Sequence, residues 1–298
     1  MRNNDRPHFE LPAGLPWDSQ ASLLLDGISV EELPRRLYEW SPEPDFEPLY
    51  AGTRWSDLSD VSPCLVRLSG TGDSTLAQHL QHADEEWGYL LFSKASWEEQ
   101  LAHLRWLSSV KHPMGEEMLL RLAEPAVAGA LLEHAMQIGD ATLFGPFEHI
   151  ALIDYTKHAW CRYSRPATAT RVSQEKPYQL SEDQLELLGE VSLRSCVIQL
   201  DAHMHEFFPN YRPQLRGIDR WQHLHELAEN AYAQGFNSER AITLYANIFG
   251  FLGEHALERH ADIAALLNTP SAATPEQRIE LAAELARERA ESMERNPT

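Results

Sequence analysis

The sequence predicts an α+β protein, with an N-terminal mixed α/β lobe followed by an all-α helical C-terminal lobe. Three observations predict it. Short apolar runs closed by turn residues alternate with capped amphipathic segments as far as residue 166. A polar stretch, Pro166–Pro177 (PATATRVSQEKP), then interrupts the pattern. Beyond it only helical periodicity is found. The divisions read from these features are an irregular arm over 1–18, an α/β lobe over 19–166, a linker over 167–177 and a helical lobe over 178–298.

The elements follow in order. Residues 1–18 are rich in proline, glycine and charge. Ala21–Ile28 (ASLLLDGI) is a short apolar run closed by Asp26-Gly27, the pattern of a buried strand. Val30–Trp40 reads as a short helix with Leu33, Leu37 and Trp40 on one face, and Pro34 is tolerated in its first turn. Ser41–Pro48 holds three prolines and reads as a loop. Leu49–Gly52, Cys64–Leu68 and Trp87–Ser93 read as strands. Ser96 and Glu99 form a capping box, in which the serine caps the Glu99 amide and the glutamate returns the bond. The helix that follows carries Trp97, Leu101, Leu104 and Leu107 on one face. Glu117–Leu122 reads as a strand, Pro125 opens a helix, and Phe147–Tyr155 and Trp160–Tyr163 read as the last strands. In the second lobe, Ser181 and Gln184 form another capping box. Their helix carries Leu193, Val197, Leu200, Met204 and Phe207 and ends at Pro209. Trp221, Leu224, Ala228 and Ala231 mark a helix stopped by Gly235. Asn237 or Ser238 caps one carrying Leu244, Ile248 and Leu252. Thr274, Pro275 and Gln277 start the last.

The chain has 298 residues and a net charge of −20, with both halves acidic. Neither half carries the basic footprint that a nucleic acid or an anionic membrane requires, so no partner of either kind is expected. Cys64, Cys161 and Cys196 are widely spaced, which excludes a zinc pattern and a disulfide framework and fits a reducing compartment. Met1–Glu10 is polar with no apolar stretch behind it, unlike a signal peptide. A cytoplasmic location is expected.

The search for reactive chemistry yields little. His203 and His205, and His223 and His225, are spaced two apart on helices. That places the rings about 200° apart around the axis, so neither pair chelates one ion. His79 and His82 have better spacing but no further ligand nearby, and Glu254-His255 lacks the second histidine of a zinc-protease motif. The loop Ser69–Ser74 (SGTGDS) precedes a helix, as a phosphate-binding loop would, but lacks the lysine, and Asp73 would repel phosphate. Asp26 and Asp154 end strand-like runs and could pair as carboxylates in space. No catalytic residue, metal or cofactor is assigned. A binding protein is expected. An enzyme using Gly70–Ser74 for a phosphate-bearing ligand and a generic scaffold stand as alternatives.

A series of motifs adds a family resemblance. Leu25-Asp26-Gly27, Pro48-Leu49-Tyr50 and Ser62-Pro63-Cys64-Leu65-Val66-Arg67-Leu68 come first. Trp87-Gly88 with Ser93, His103-Leu104-Arg105 and Lys111-His112-Pro113-Met114-Gly115 follow. Arg121-Leu122-Ala123-Glu124-Pro125-Ala126-Val127 and Leu143-Phe144-Gly145-Pro146 complete it. Their order and spacing resembles the type VI secretion effector adaptor (effector chaperone) family. In the second lobe Phe207-Phe208-Pro209 and Gly235-Phe236-Asn237-Ser238 are similar to the family's helical half. The family tends to show Tyr-Asp-Pro-Arg-Val where this chain has Ala123-Glu124-Pro125-Ala126-Val127, so an Asp and an Arg of the pattern are absent. The resemblance implies a protein that binds a cognate secreted effector and helps seat it on the VgrG spike. Aromatic side chains suit such contacts. Trp87, Trp97, Trp106 and Trp221 are expected in the core. Trp17, Trp40, Trp55 and Trp160 lie near loops or ends, and Trp40, Tyr50 and Trp55 are expected to border the effector-binding face.

Overall fold

β1 (Gln20–Leu25) is the centre of the main sheet and is buried at every residue after Gln20. It pairs antiparallel on one side with β3 (Cys64–Arg67) and on the other with β4 (Gly88–Ser93). The sheet extends through β2 (Phe46–Pro48), β7 (Phe147–Asp154) and β8 (Ala159–Ser164), in the order β2-β3-β1-β4-β7-β8, with every neighbouring pair antiparallel. The structure, a computed structural model, describes residues 9–167, 174–269 and 273–295.

Both faces of the sheet are covered, which is why its central strands read as continuous apolar runs. Leu23 and Leu25 point to one face, where α1 (Leu33–Trp40) and α2 (Ser74–Gln81) supply Leu33, Leu37 and Leu76 to a shared core. Phe9 is buried, and Leu11, Leu15 and Trp17 pack on the same side, so the described part of the expected arm is tied to the core. Ser22 and Leu24 point to the opposite face. There the buried Gln100 of α3 (Trp97–Ser108) accepts a hydrogen bond from Ser22 at 3.3 Å. α4 (Pro125–Ile138) lies over β7 and β8, where Gly129 packs against Leu152 and Tyr163. A small second sheet joins β5 (Ser109–Lys111), β6 (Glu117–Leu119) and β9 (Tyr178–Gln179) in the order β6-β5-β9.

The second compact unit begins at Gly189, within α5 (Glu182–Phe207), and the first ends at Leu188. The expected linker over 167–177 falls largely on 168–173, outside the described residues. In the second unit α6 (Gly217–Ala233), α7 (Glu239–Leu252), α8 (Ala256–Arg259), α9 (Ala261–Asn268) and α10 (Pro275–Arg295) bury a core that includes Val197, Leu200, Met204, Leu224, Ala228, Ile248 and Ala282. The fold is thus α+β with a helical C-terminal unit.

All three capping boxes form. Ser96 with Glu99, Ser181 with Gln184 and Thr274 with Gln277 each exchange two hydrogen bonds of 3.0 to 3.3 Å. Ser238 is the cap of α7.

Four readings are corrected. Leu49–Gly52 is a turn, and the strand is Phe46–Pro48; Leu49 and Tyr50 are apolar because they plug the core from that turn. Proline is accommodated because β2 is an edge strand and Pro48 is its last residue. The region after Pro177 does contain a strand, since Tyr178–Gln179 pairs parallel with Val110–Lys111. Phe207 lies on the exposed side at the end of α5. Of the four tryptophans expected in the core, only Trp87 is buried, while Trp97, Trp106 and Trp221 are half-buried. Arg67 stacks over Trp97 at 4.4 Å from the ring centre, so the guanidinium plane covers what the core does not.

Candidate functional site

β1 runs directly into Asp26, which is 1% exposed. Its Oδ2 accepts from Nε and Nη2 of Arg121 at 2.9 and 2.5 Å and from Ser29 Oγ at 3.1 Å. Its Oδ1 accepts from the backbone N–H of Ile28 at 3.1 Å. Nη1 of Arg121 turns to Glu124 at 3.1 Å. A carboxylate this deeply buried requires such pairing, and the charge-assisted bonds from one guanidinium supply it. The main chain is anchored too, since the Asp26 N–H donates to Trp87 O at 2.8 Å and its carbonyl accepts from Val30 N at 3.0 Å.

Gly27 presses on the neighbouring loop. A Cβ there would overlap the Ser62 carbonyl and lie 2.7 Å from the Val61 carbonyl carbon, so only glycine permits the approach. Ser62 Oγ accepts from Tyr50 N at 3.0 Å and donates to Pro63 O at 3.1 Å, and Leu49 N donates to Pro63 O at 2.8 Å. Arg105, reaching over from α3, donates to the carbonyls of Leu49 and Pro48 at 3.2 and 3.3 Å. Asp26, Gly27, Leu49, Tyr50, Pro63 and Arg105 are therefore gathered at one end of the main sheet. The Tyr50 side chain is 3% exposed, and burial, with the Asp26 charge adding and Arg121 opposing, pushes its phenol up to about 12. Expected at the border of a contact face, it is instead part of the foundation under the 50s loop.

Trp87 is buried between two rings, Trp40 at 5.6 Å and His82 at 4.1 Å, both nearly parallel to it. Trp40 is thus half-buried on this stack. Trp55 is half-buried beneath the Arg54 guanidinium at 5.1 Å, and Arg54 also forms an ion pair with Glu117 of β6. A Cβ on Gly88 would overlap the Leu24 carbonyl across the sheet.

The remaining motif residues meet on the α3 side of the same unit. Gly145 has φ +51°, and a Cβ there would overlap the His103 ring. His103 Nε2 donates to Leu143 O at 3.1 Å while Nδ1 accepts from the Gln174 amide at 3.0 Å, which fixes the neutral tautomer. Burial holds its pKa down at about 4, although the Leu143 bond opposes the shift. Ser93 Oγ donates to Pro146 O at 2.7 Å, Leu104 is buried beside His103, and Pro125 opens α4. A cavity of about 710 Å³ lies here, lined by Lys94, His103, Trp106, Gly145, Pro146 and Arg165 among others. Lys94 pairs with Glu148 at 3.1 Å and Arg165 donates to Gly145 O at 2.8 Å. The charged side chains Asp26, Arg121, Arg105, Lys94 and Arg165 are engaged with one another, with Glu124 and Glu148 or with backbone, an arrangement that fixes surfaces in place.

A family profile described as "Domain of unknown function (DUF4123)" matches residues 21–138, the stretch from β1 to the end of α4. The chain is 32% identical over 272 residues to the accessory protein VasW of Vibrio cholerae serotype O1, covering 91% of this chain and 88% of that one. The chain belongs to the DUF4123 family of type VI secretion effector adaptors. No solved structure matches it.

Within this DUF4123 protein, the departure at Glu124 acquires a structural meaning. The carboxylate at that position is retained and pairs with Arg121, three residues earlier, so it extends the Asp26 network; Ala126 adds no charge. Arg121 and Ser62 are the participants that sequence reasoning missed. Both lie inside quoted motifs, but no local pattern marks a partner 95 residues away.

The other candidates have local partners. Asp73 caps α2, accepting from Thr75 N at 2.9 Å and from Ser69 N and Oγ at 3.0 and 2.9 Å, so its own carboxylate occupies the place a phosphate would take. Asp154 accepts from Thr156 and pairs with Lys157. His79 is buried with neither ring nitrogen hydrogen-bonded, so it joins neither Asp26 nor Asp154. His203 bonds Asn247 at 2.7 Å. Arg212 donates to His223 Nδ1 at 3.1 Å, which leaves the Nε2–H to donate to Tyr211 Oη at 2.9 Å. His225 faces Glu229 at 3.5 Å. Among the described residues no group of three or more His, Cys, Asp or Glu could hold a metal, and no helix is long and apolar enough to cross a membrane.

Proposed function

We propose that this type VI secretion adaptor is a non-enzymatic cytoplasmic chaperone that binds a cognate toxic effector and promotes its loading onto the VgrG spike. One observation carries the reading. The motif side chains Asp26, Arg121, Arg105 and Ser62 hydrogen-bond one another or the backbone of three loops, one of which carries the buried Tyr50. They hold those loops in one shape without presenting a reactive group, as a protein that grips a polypeptide requires. The net charge of −20 fits a protein partner better than a nucleic acid.

The test is secretion. Deleting the gene should remove one toxin from the culture supernatant while the apparatus still releases its tube protein, and a plasmid copy should restore it. Unchanged release of every toxin would reject the proposal.

A further inference from the structure

The Asp26 network ends in an exposed surface. Ile28 is 51% exposed, although it lies in the tightly held turn that Asp26 organises. Its N–H is bonded to Asp26 Oδ1, and the residues on either side are fixed, Gly27 against the Val61–Ser62 backbone and Ser29 by its hydroxyl on Asp26 Oδ2. The isoleucine is thus a rigid apolar knob facing water. Beside it, the short 3₁₀ segment Ser56–Val61 exposes Leu58 and Val61 at 40% and 37%. The segment kinks at Leu58, where φ is −99° and ψ is 28°, and Asp57 and Asp60, both exposed, lie in the same short stretch as the two apolar residues. The segment is pinned at both ends, by Leu58 N on Trp55 O at 2.9 Å and by Ser62 beneath Tyr50.

Exposed apolar side chains set among two aspartates are the complement of a segment that carries both apolar and basic side chains. A second copy of this chain is a poor occupant, because each copy carries a net charge of −20 and the patch itself is acidic. We infer that Ile28, Leu58 and Val61, with Asp57 and Asp60 alongside, dock a basic, apolar segment of the cognate effector. The inference rests on the adaptor reading and adds to it a place and a partner chemistry. The preformed knob lowers the ordering cost of binding, and the aspartates steer and orient the incoming chain.

The test uses the full chain in its own cell. A photo-crosslinking phenylalanine replaces Leu58, with Met114, 84% exposed on the β5–β6 hairpin, as the control position. The crosslinked peptide is sequenced. In parallel, effector recovery is measured for tagged wild type, for the double variant Ile28→Ser/Val61→Ser and for Asp57→Lys/Asp60→Lys. All four positions are exposed, so thermal midpoints should match wild type; if one variant fails to fold, the other and the crosslink decide.

The expected result is a crosslink to an apolar effector segment of net positive charge, with effector recovery reduced at least about tenfold in both variants. A crosslink to an acidic or uncharged segment, to the spike protein or to a second copy overturns the inference. So does no crosslink at position 58 where position 114 reacts. Wild-type recovery of effector, matched by both variants, removes this surface and leaves the adaptor reading standing. No effector recovered by wild type removes both.

Discussion

Arg121 closes on Asp26 through two nitrogens at 2.5 and 2.9 Å, across 95 residues of sequence, and ties the turn after β1 to the loop before α4. Removing one partner of such a pair leaves the other as an uncompensated buried charge. Arg121→Met should cost roughly 2–4 kcal/mol, somewhat below the value for a fully enclosed pair because the arginine side chain is 36% exposed. Urea unfolding midpoints read the loss. The double variant Asp26→Asn/Arg121→Met should recover part of it, whereas additive losses would show that the two residues act independently.

Gly145 and His103 are coupled by sterics alone. Gly145→Ala adds a methyl group where the histidine ring already sits, at a φ of +51° that a Cβ disfavours. Strain and overpacking together should cost about 2–4 kcal/mol. Shrinking the ring by His103→Ala in the same chain should relieve the overpacking part. Equal losses in the single and double variants would assign the whole effect to the backbone.

How legible these features were depended on their range. The capping boxes at Ser96, Ser181 and Thr274 are confined to four residues and formed as read. Strands β1, β3, β4, β7 and β8 follow from dense apolar runs. The three-residue β5 and the two-residue β9 have no periodicity of their own, because each exists through pairing with a distant partner. The three prolines of Ser41–Pro48 hid an edge strand. Asp26 looked like a turn residue, and it is one; its burial and its arginine come from the tertiary fold. Tyr50, an aromatic beside a loop, was expected at the surface, but a turn can carry a core plug as well as a strand can.

Acid should weaken the fold through two histidines. Burial, with a smaller contribution from His82, lowers His79 to about 4, and burial lowers His103 to about 4. A base whose folded pKa is depressed takes up its proton preferentially in the unfolded chain. Stability should be full above about pH 6.5 and fall as the pH drops toward about 4, by roughly 3 kcal/mol per histidine at most. Neither ring nitrogen of His79 has a hydrogen bond. His79→Leu should therefore leave stability at pH 7 unchanged or higher and flatten the acid slope by about half. A slope identical to wild type would show that other groups carry it.

Helix α3 holds both Arg105 and His103, so its N-cap should matter to the site. Ser96→Ala removes one bond of the capping box and should cost about 1 kcal/mol. Glu99→Ala, which removes the returning bond to the Ser96 N–H at 3.0 Å, should cost less. Thermal melts of the two variants, compared with the double, check the order and its reciprocity.

The central claim, that this fold exists to hold another polypeptide, is tested most directly by affinity purification of the tagged full chain from its native cell at low salt, with every co-purifying protein identified and the complex rebuilt from purified parts. The account predicts one secreted toxin bound at a defined stoichiometry, together with the VgrG spike or handed on to it. A chain that emerges alone, or that turns over a small molecule in the absence of any protein partner, would contradict it.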